Sequence, residues 1–177
     1  MGPFDCAAVT MQACRAVLRG ITADDLSRPT PCTEYTVGEV GQHVVRSMIL
    51  LASVAGEPLD SPLTGTLEGD VAAATEGALG AWRRRGLEGS VAVGRSILPA
   101  SLAAEIIPLE LLVHGWDIAR ATGRDIEVPA EVAGYVLGRA RELITEDKRG
   151  RSFATEVPAG PEASLLQRLI AFTGRAP

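Results

Sequence analysis

The sequence predicts an all-α fold, a helical bundle formed by one domain spanning residues 1–177. Three observations predict it. Apolar residues recur at helical spacing along successive segments, and the segments are bounded by helix start and stop signals. Hydrophobic residues make up 46% of the chain but aromatic residues only 4%, so Ala, Val and Leu must do most of the packing, as in helix-rich proteins. The chain has 177 residues, enough for one domain with a real core. It shows no internal repeat, low-complexity tract or linker.

The first helix is predicted over residues 4–19, where Ala7, Ala8, Met11, Cys14, Val17 and Leu18 fall at helical spacing. A loop with Pro29 and Pro31 follows. Thr36-Val-Gly-Glu39 then reads as a capping box: the Thr hydroxyl can accept from the Glu39 N–H while the Glu carboxylate reaches back. A second helix should therefore start near Val37 and run to about Ala55, ended by Gly56 and Pro58. Residues 59–67 are a connector, and a third helix covers 68–85. Its end, Arg83-Arg84-Arg85-Gly86, places cations at the negative pole of the helix dipole, with a glycine stop behind them.

Val91-Ala-Val93 and Ser96-Ile-Leu98 could be extended but are too short to build a sheet alone. A fourth helix should run from about Ser101 to Thr122, with Gly123 as its C-cap. Pro108 lies inside it, which predicts a kink, or a break with the main helix starting at Pro108. Such a kink would tilt Glu110 relative to His114. The fifth helix has Pro129 at its first position, reaches about Glu146 and is ended by Lys148-Arg149-Gly150-Arg151. A short last helix spans 161–172.

A net charge of −5 argues against nucleic acid as the main partner, because phosphate binding needs a basic face. Cys6, Cys14 and Cys32 are an odd set without regular spacing, so neither a disulfide framework nor a Cys-x-x-Cys zinc site is expected. The start, Met-Gly-Pro-Phe-Asp, lacks the pattern of a signal peptide, and no apolar run reaches membrane-spanning length. The expectation is a cytoplasmic protein without membrane contact, with a homodimer left open.

The chemistry-bearing residues are few. The chain has two histidines, each with a Glu four residues before it: Glu39…His43 and Glu110…His114. Positions four apart share a helix face, so Glu110 and His114 can aim at one point. His43 can supply a third ligand if the second and fourth helices pack side by side. Two neutral imidazoles and a carboxylate suit a borderline divalent ion such as Zn²⁺ and leave a position open, as in catalytic rather than structural sites. The competing reading makes each pair a surface ion pair, or each His a hydrogen-bonded core residue. The helix around Glu110 is apolar nearly all round, hence buried, and a buried carboxylate needs a charge partner or a metal. Glu39 is assigned to the capping box rather than to a fourth ligand. Asp117, three residues beyond His114, can orient a ligand, take part in proton transfer, or pair with Arg120 or Arg46. Cys32 is either a nucleophile or thiol-exchange partner, or a small buried residue that closes its loop. A two-metal site using both Glu-x-x-x-His pairs fits poorly, because helix-bundle di-iron sites use Glu-x-x-His spacing and two further Glu ligands.

Arg28-Pro-Thr-Pro-Cys-Thr-Glu-Tyr-Thr-Val37 followed by Val40-Gly-Gln-His43, the segment Glu110-Leu-Leu-Val-His-Gly-Trp-Asp-Ile-Ala-Arg-Ala-Thr-Gly123, and the closing Gly174-Arg-Ala-Pro177 together resemble an actinobacterial family. It is the metal-binding group of the DinB-like superfamily related to mycothiol-dependent maleylpyruvate isomerase, at that enzyme's N-terminal metal-binding domain. The resemblance implies a DinB-like four-helix bundle with one or two extra short helices. It implies a divalent metal, zinc in most of the group, on His43, Glu110 and His114. It also implies a small thiol cofactor such as mycothiol and an electrophilic small-molecule substrate, in a transferase or isomerase reaction. The alternative is a non-catalytic module that keeps the metal site and binds a small molecule or partner.

Overall fold

The computed structural model describes residues 1–150 and 153–177, the side chain of Asp147 excepted. The chain is mostly helical. In order it forms α1 (Pro3–Leu18), α2 (Val37–Val54), α3 (Leu67–Arg85), β1 (Ser90–Val93), β2 (Ser96–Pro99), α4 (Ala100–Ala104), α5 (Ile106–Ala121), α6 (Ala130–Leu143) and α7 (Leu165–Phe172). Short 3₁₀ turns cover Ala23–Asp25 and Glu146–Lys148. No helix among the described residues is long and apolar enough to cross a membrane.

α1 buries Cys6, Ala7, Thr10, Cys14, Val17 and Leu18 along one stripe. Ala8, expected inside, is exposed, and Thr10 takes the inner place by donating its hydroxyl to the Cys6 and Ala7 carbonyls. α2 starts on the expected capping box: Thr36 Oγ1 accepts from the Glu39 N–H, and Glu39 Oε2 accepts from the Thr36 N–H at 2.8 Å. Its Val40, Val44, Met48 and Leu51 enter the core. α3 ends after Arg85 as expected, with Gly86 at φ +80. α1 packs on α5 and α3, and α2 packs on α3 and α5. α6 packs chiefly on α7 and also touches α1 and α5. The core lies between these helices and includes the fully buried Trp82, Met48, Ile107, Leu111 and Leu112.

Several expectations are corrected. First, the two short apolar runs form an antiparallel hairpin, with Val91 opposite Leu98 and Val93 opposite Ser96. The two-residue turn has Gly94 at φ +59 in its first position, a conformation that favours glycine. The hairpin does not stand alone, because it packs on α2 and α4.

Second, the fourth helix is neither kinked at Pro108 nor begun there. It breaks at Glu105, and α5 starts at Ile106. Pro108 is then in the first turn, where a backbone N–H has no partner within the helix, so its missing donor costs nothing there. The first N–H to bond back, weakly, is that of Leu109, to the Glu105 carbonyl at 3.4 Å.

Third, Pro129 is the N-cap of α6 rather than its first helical residue, and α6 ends at Leu143, before Glu146. Of the residues expected to end that helix, Lys148 closes the 3₁₀ turn, while Arg151 lies outside the described residues. α7 is shorter than expected, starting from a capping box between Ser164 and Gln167.

Candidate metal centre

α5 runs without interruption through residues 110–114, so Glu110 and His114 face the same way. α2 lies against α5 and brings His43 opposite them. His43 Nε2 is 3.2 Å from Glu110 Oε2, and His114 Nε2 is 3.7 Å from the same oxygen. The two imidazole rings meet edge to face at 4.9 Å. The three ligand atoms lie within 4.8 Å of one another.

A divalent ion fits this trio on two counts. Zinc bonds of about 2.0–2.1 Å in a tetrahedron put ligand atoms about 3.3 Å apart, close to the 3.2 and 3.7 Å between Glu110 and the two imidazoles. Glu110 Oε2 is also buried, with His43 Nε2 3.2 Å away and no regular hydrogen bond. An orphaned buried carboxylate oxygen facing two imidazole nitrogens is what a bound cation would satisfy. Burial by itself would raise the Glu110 pKa. His43, the charge of His114 and the hydroxyl of Ser47 outweigh burial and bring it down to about 2.

The partners behind the trio are ordered. His114 Nδ1 lies 3.0 Å from Asp117 Oδ2. Asp117 is fully buried, and neither Arg120 nor Arg46 is its partner. Arg175, near the far end of the chain, grips it with two bonds, Nε to Oδ1 at 2.6 Å and Nη2 to Oδ2 at 2.8 Å. Burial opposes ionisation of Asp117, but His114 and Arg175 hold its carboxyl below the usual range. With Asp117 an anion, Nδ1 of His114 is its donor and Nε2 is left facing Glu110. On the other side, the Tyr35 ring stacks on His43 at 5.5 Å. Glu39 stays at its cap, tied to Thr36, and takes no part.

Cys32 is neither buried out of reach nor activated. It is half-buried, and burial pushes its thiol pKa up despite the nearby Arg175. Its loop is held by Thr30, whose hydroxyl donates to the Tyr35 carbonyl at 2.8 Å and shares the Cys32 carbonyl. The sulfur also sits within 4.8 Å of ligand atoms of His114 and Asp117. Cys32, Tyr35, the trio and Arg175 open onto one cavity of about 490 Å³. Sequence reasoning missed Arg175 and Tyr35 as members of the site. Both stand inside quoted signature segments, but nothing local showed that these segments meet.

The family of the mycothiol maleylpyruvate isomerase N-terminal domain matches residues 8–68. That stretch holds the Thr-Pro-Cys loop and His43, while Glu110 and His114 lie beyond it. Two proteins of Mycobacterium tuberculosis, "Uncharacterized protein Rv0738" of strain H37Rv and "Uncharacterized protein MT0763" of strain CDC 1551, are each 30% identical over 181 residues, covering 99% of this chain and 98% of theirs. No solved structure matches. With a similarity that runs the length of both relatives and a matched isomerase segment around His43, the chain belongs to the DinB-like group related to the mycothiol maleylpyruvate isomerase N-terminal domain.

Proposed function

We propose that this protein is a DinB-like four-helix bundle that binds one divalent ion, zinc by the character of its donors, at His43, Glu110 and His114. We further propose that it acts on a small thiol, of the mycothiol kind, as a transferase or isomerase with an electrophilic small-molecule partner. The observation that carries the reading is the orphaned, buried Glu110 Oε2 lying 3.2 Å and 3.7 Å from two imidazole nitrogens at the wall of a cavity. When bound, the ion would supply Lewis acidity that favours the thiolate form of a thiol, the nucleophilic form.

The chain's own residues do the rest. Glu110 is ionised at neutral pH and balances part of the positive charge. Asp117 accepts from Nδ1 of His114, which fixes the tautomer with Nε2 free, and Arg175 keeps Asp117 in place. The Tyr35 ring limits how far the His43 imidazole can turn. Three protein donors leave room for a further ligand from the cavity.

Two measurements test this. His114→Ala should lose most bound zinc, read by native mass spectrometry, while circular dichroism stays helical. Unchanged zinc content would place the metal elsewhere. The zinc-loaded protein should accelerate the displacement of bromide from monobromobimane by mycothiol, or the conjugate addition of mycothiol to enones, over the metal-free control. Zinc binding without any such acceleration would leave a non-catalytic binding module.

A further inference from the structure

The cavity beside the proposed metal site is lined by two unlike sets of residues. One is the polar cluster of the trio, Cys32, Tyr35 and Arg175. The other is Leu50 of α2, Val93 and Leu98 of the hairpin, Ile106 and Leu109 of α5, and Phe153. Strand alternation explains the hairpin's share. Val91, Val93, Ser96 and Leu98 form its inner face, while Ala92 and Ile97 point outward, Ile97 being 71% exposed. Leu50, 54% exposed, adds its apolar side chain to this wall. The cavity volume, about 490 Å³, falls within the roughly 300–1,000 Å³ of small-molecule sites.

The charges lining it narrow the ligand further. Arg175 is committed to Asp117 by two bonds. Lys148 donates to the Leu143 carbonyl and has no carboxylate partner among the described residues. Because Asp117 matches the charge of Arg175, Lys148 is the unmatched cation among the described lining residues. With a thiol on the open metal position, a dicarboxylate here would pair one group with Lys148 and leave the other unpaired against leucine and phenylalanine.

We propose that this cavity takes a ligand with an apolar body of ring or medium alkyl-chain size and at most one carboxylate, its apolar part lying against the inner face of the hairpin. The inference rests on the thiol-transfer reading only in naming that ligand as the electrophile. Binding tests it without turnover.

The zinc-loaded full chain should bind 8-anilinonaphthalene-1-sulfonate, an apolar monoanion, with a saturable rise in fluorescence. Leu98→Glu should weaken that binding at least about tenfold, because it sets an anion in the apolar wall. Ile97→Glu, on the outer face of the same strand, should leave it unchanged. Leu50→Glu, on an exposed helix position, serves as a second wall variant should Leu98→Glu melt the hairpin. With a saturating simple thiol on the open metal position, octanoate should displace the probe at least about tenfold more effectively than octanedioate. Equal binding by wild type and both wall variants, or equal displacement by the two acids, overturns the proposal. If binding behaves as expected but no thiol turnover occurs with any enone, the cavity assignment stands and thiol transfer falls. If turnover occurs and favours a dicarboxylate enone, the ligand assignment falls and thiol transfer stands.

Discussion

At the scale of single residues, the buried carboxylates set the acid behaviour. Glu110 and Asp117 both titrate lower in the folded chain than in the unfolded one. A depressed carboxylate contributes its stability in full above its unfolded pKa and loses it as pH falls through the folded value. The metal-free protein should therefore lose stability from about pH 4.5 downward toward pH 2, the interval set by Glu110. Urea midpoints measured across that range should fall steeply for the wild type and less steeply for Glu110→Gln. The thiols make a second residue-scale prediction. Burial pushes Cys6 and Cys14 up to about 12, and both are enclosed, while Cys32 is half-buried at the cavity. Iodoacetamide at pH 7.5 should label the native protein at Cys32 alone, and more slowly than a free cysteine, since its thiol is held protonated. Mass spectrometry of the tryptic peptides reads the site.

At the scale of elements, α5 decides whether the site forms. Its continuity through residues 110–114 depends on the break at Glu105, which leaves Pro108 in the first turn. Pro108→Ala should leave zinc stoichiometry unchanged, as measured by native mass spectrometry, because it adds only a first-turn N–H and keeps the residue's carbonyl in the helix. The opposite holds for Gly115. A Cβ there would come within 2.8 Å of Ile126 Cδ1 and 3.4 Å of Cys14, where α1 and α5 run close together. Gly115→Val should destabilise the protein by about 1–3 kcal/mol through overpacking, measured by denaturant unfolding.

At this scale much was legible. Residues 36–39 announce the start of α2, Gly86 and Gly123 mark helix ends, and the spacing of Glu110 and His114 already puts them on one face. The hairpin was not legible, since four-residue strands carry too weak a pattern, and their pairing is supported by packing on α2 and α4. The break at Glu105 was missed because proline tells that a helix must be interrupted but not at which residue the interruption falls.

At the scale of the whole molecule, the end of the chain returns to the site. Arg175 reaches Asp117 across 58 positions and is only 9% exposed. Arg175→Ala would strip a buried carboxylate of its bidentate partner, which should cost about 3–5 kcal/mol in denaturant unfolding. It should also weaken zinc binding, since Asp117 would then hold His114 less firmly. By itself the sequence determined the helical class, most of the helix boundaries and the pairing of Glu110 with His114, because these follow from local spacing and capping along one helix. Only the tertiary structure decided that His43 closes the trio, that Arg175 rather than Arg120 or Arg46 holds Asp117, and that an apolar hairpin walls the cavity. Those contacts join residues far apart in the chain, and their geometry is set by how helices pack, which no local pattern encodes.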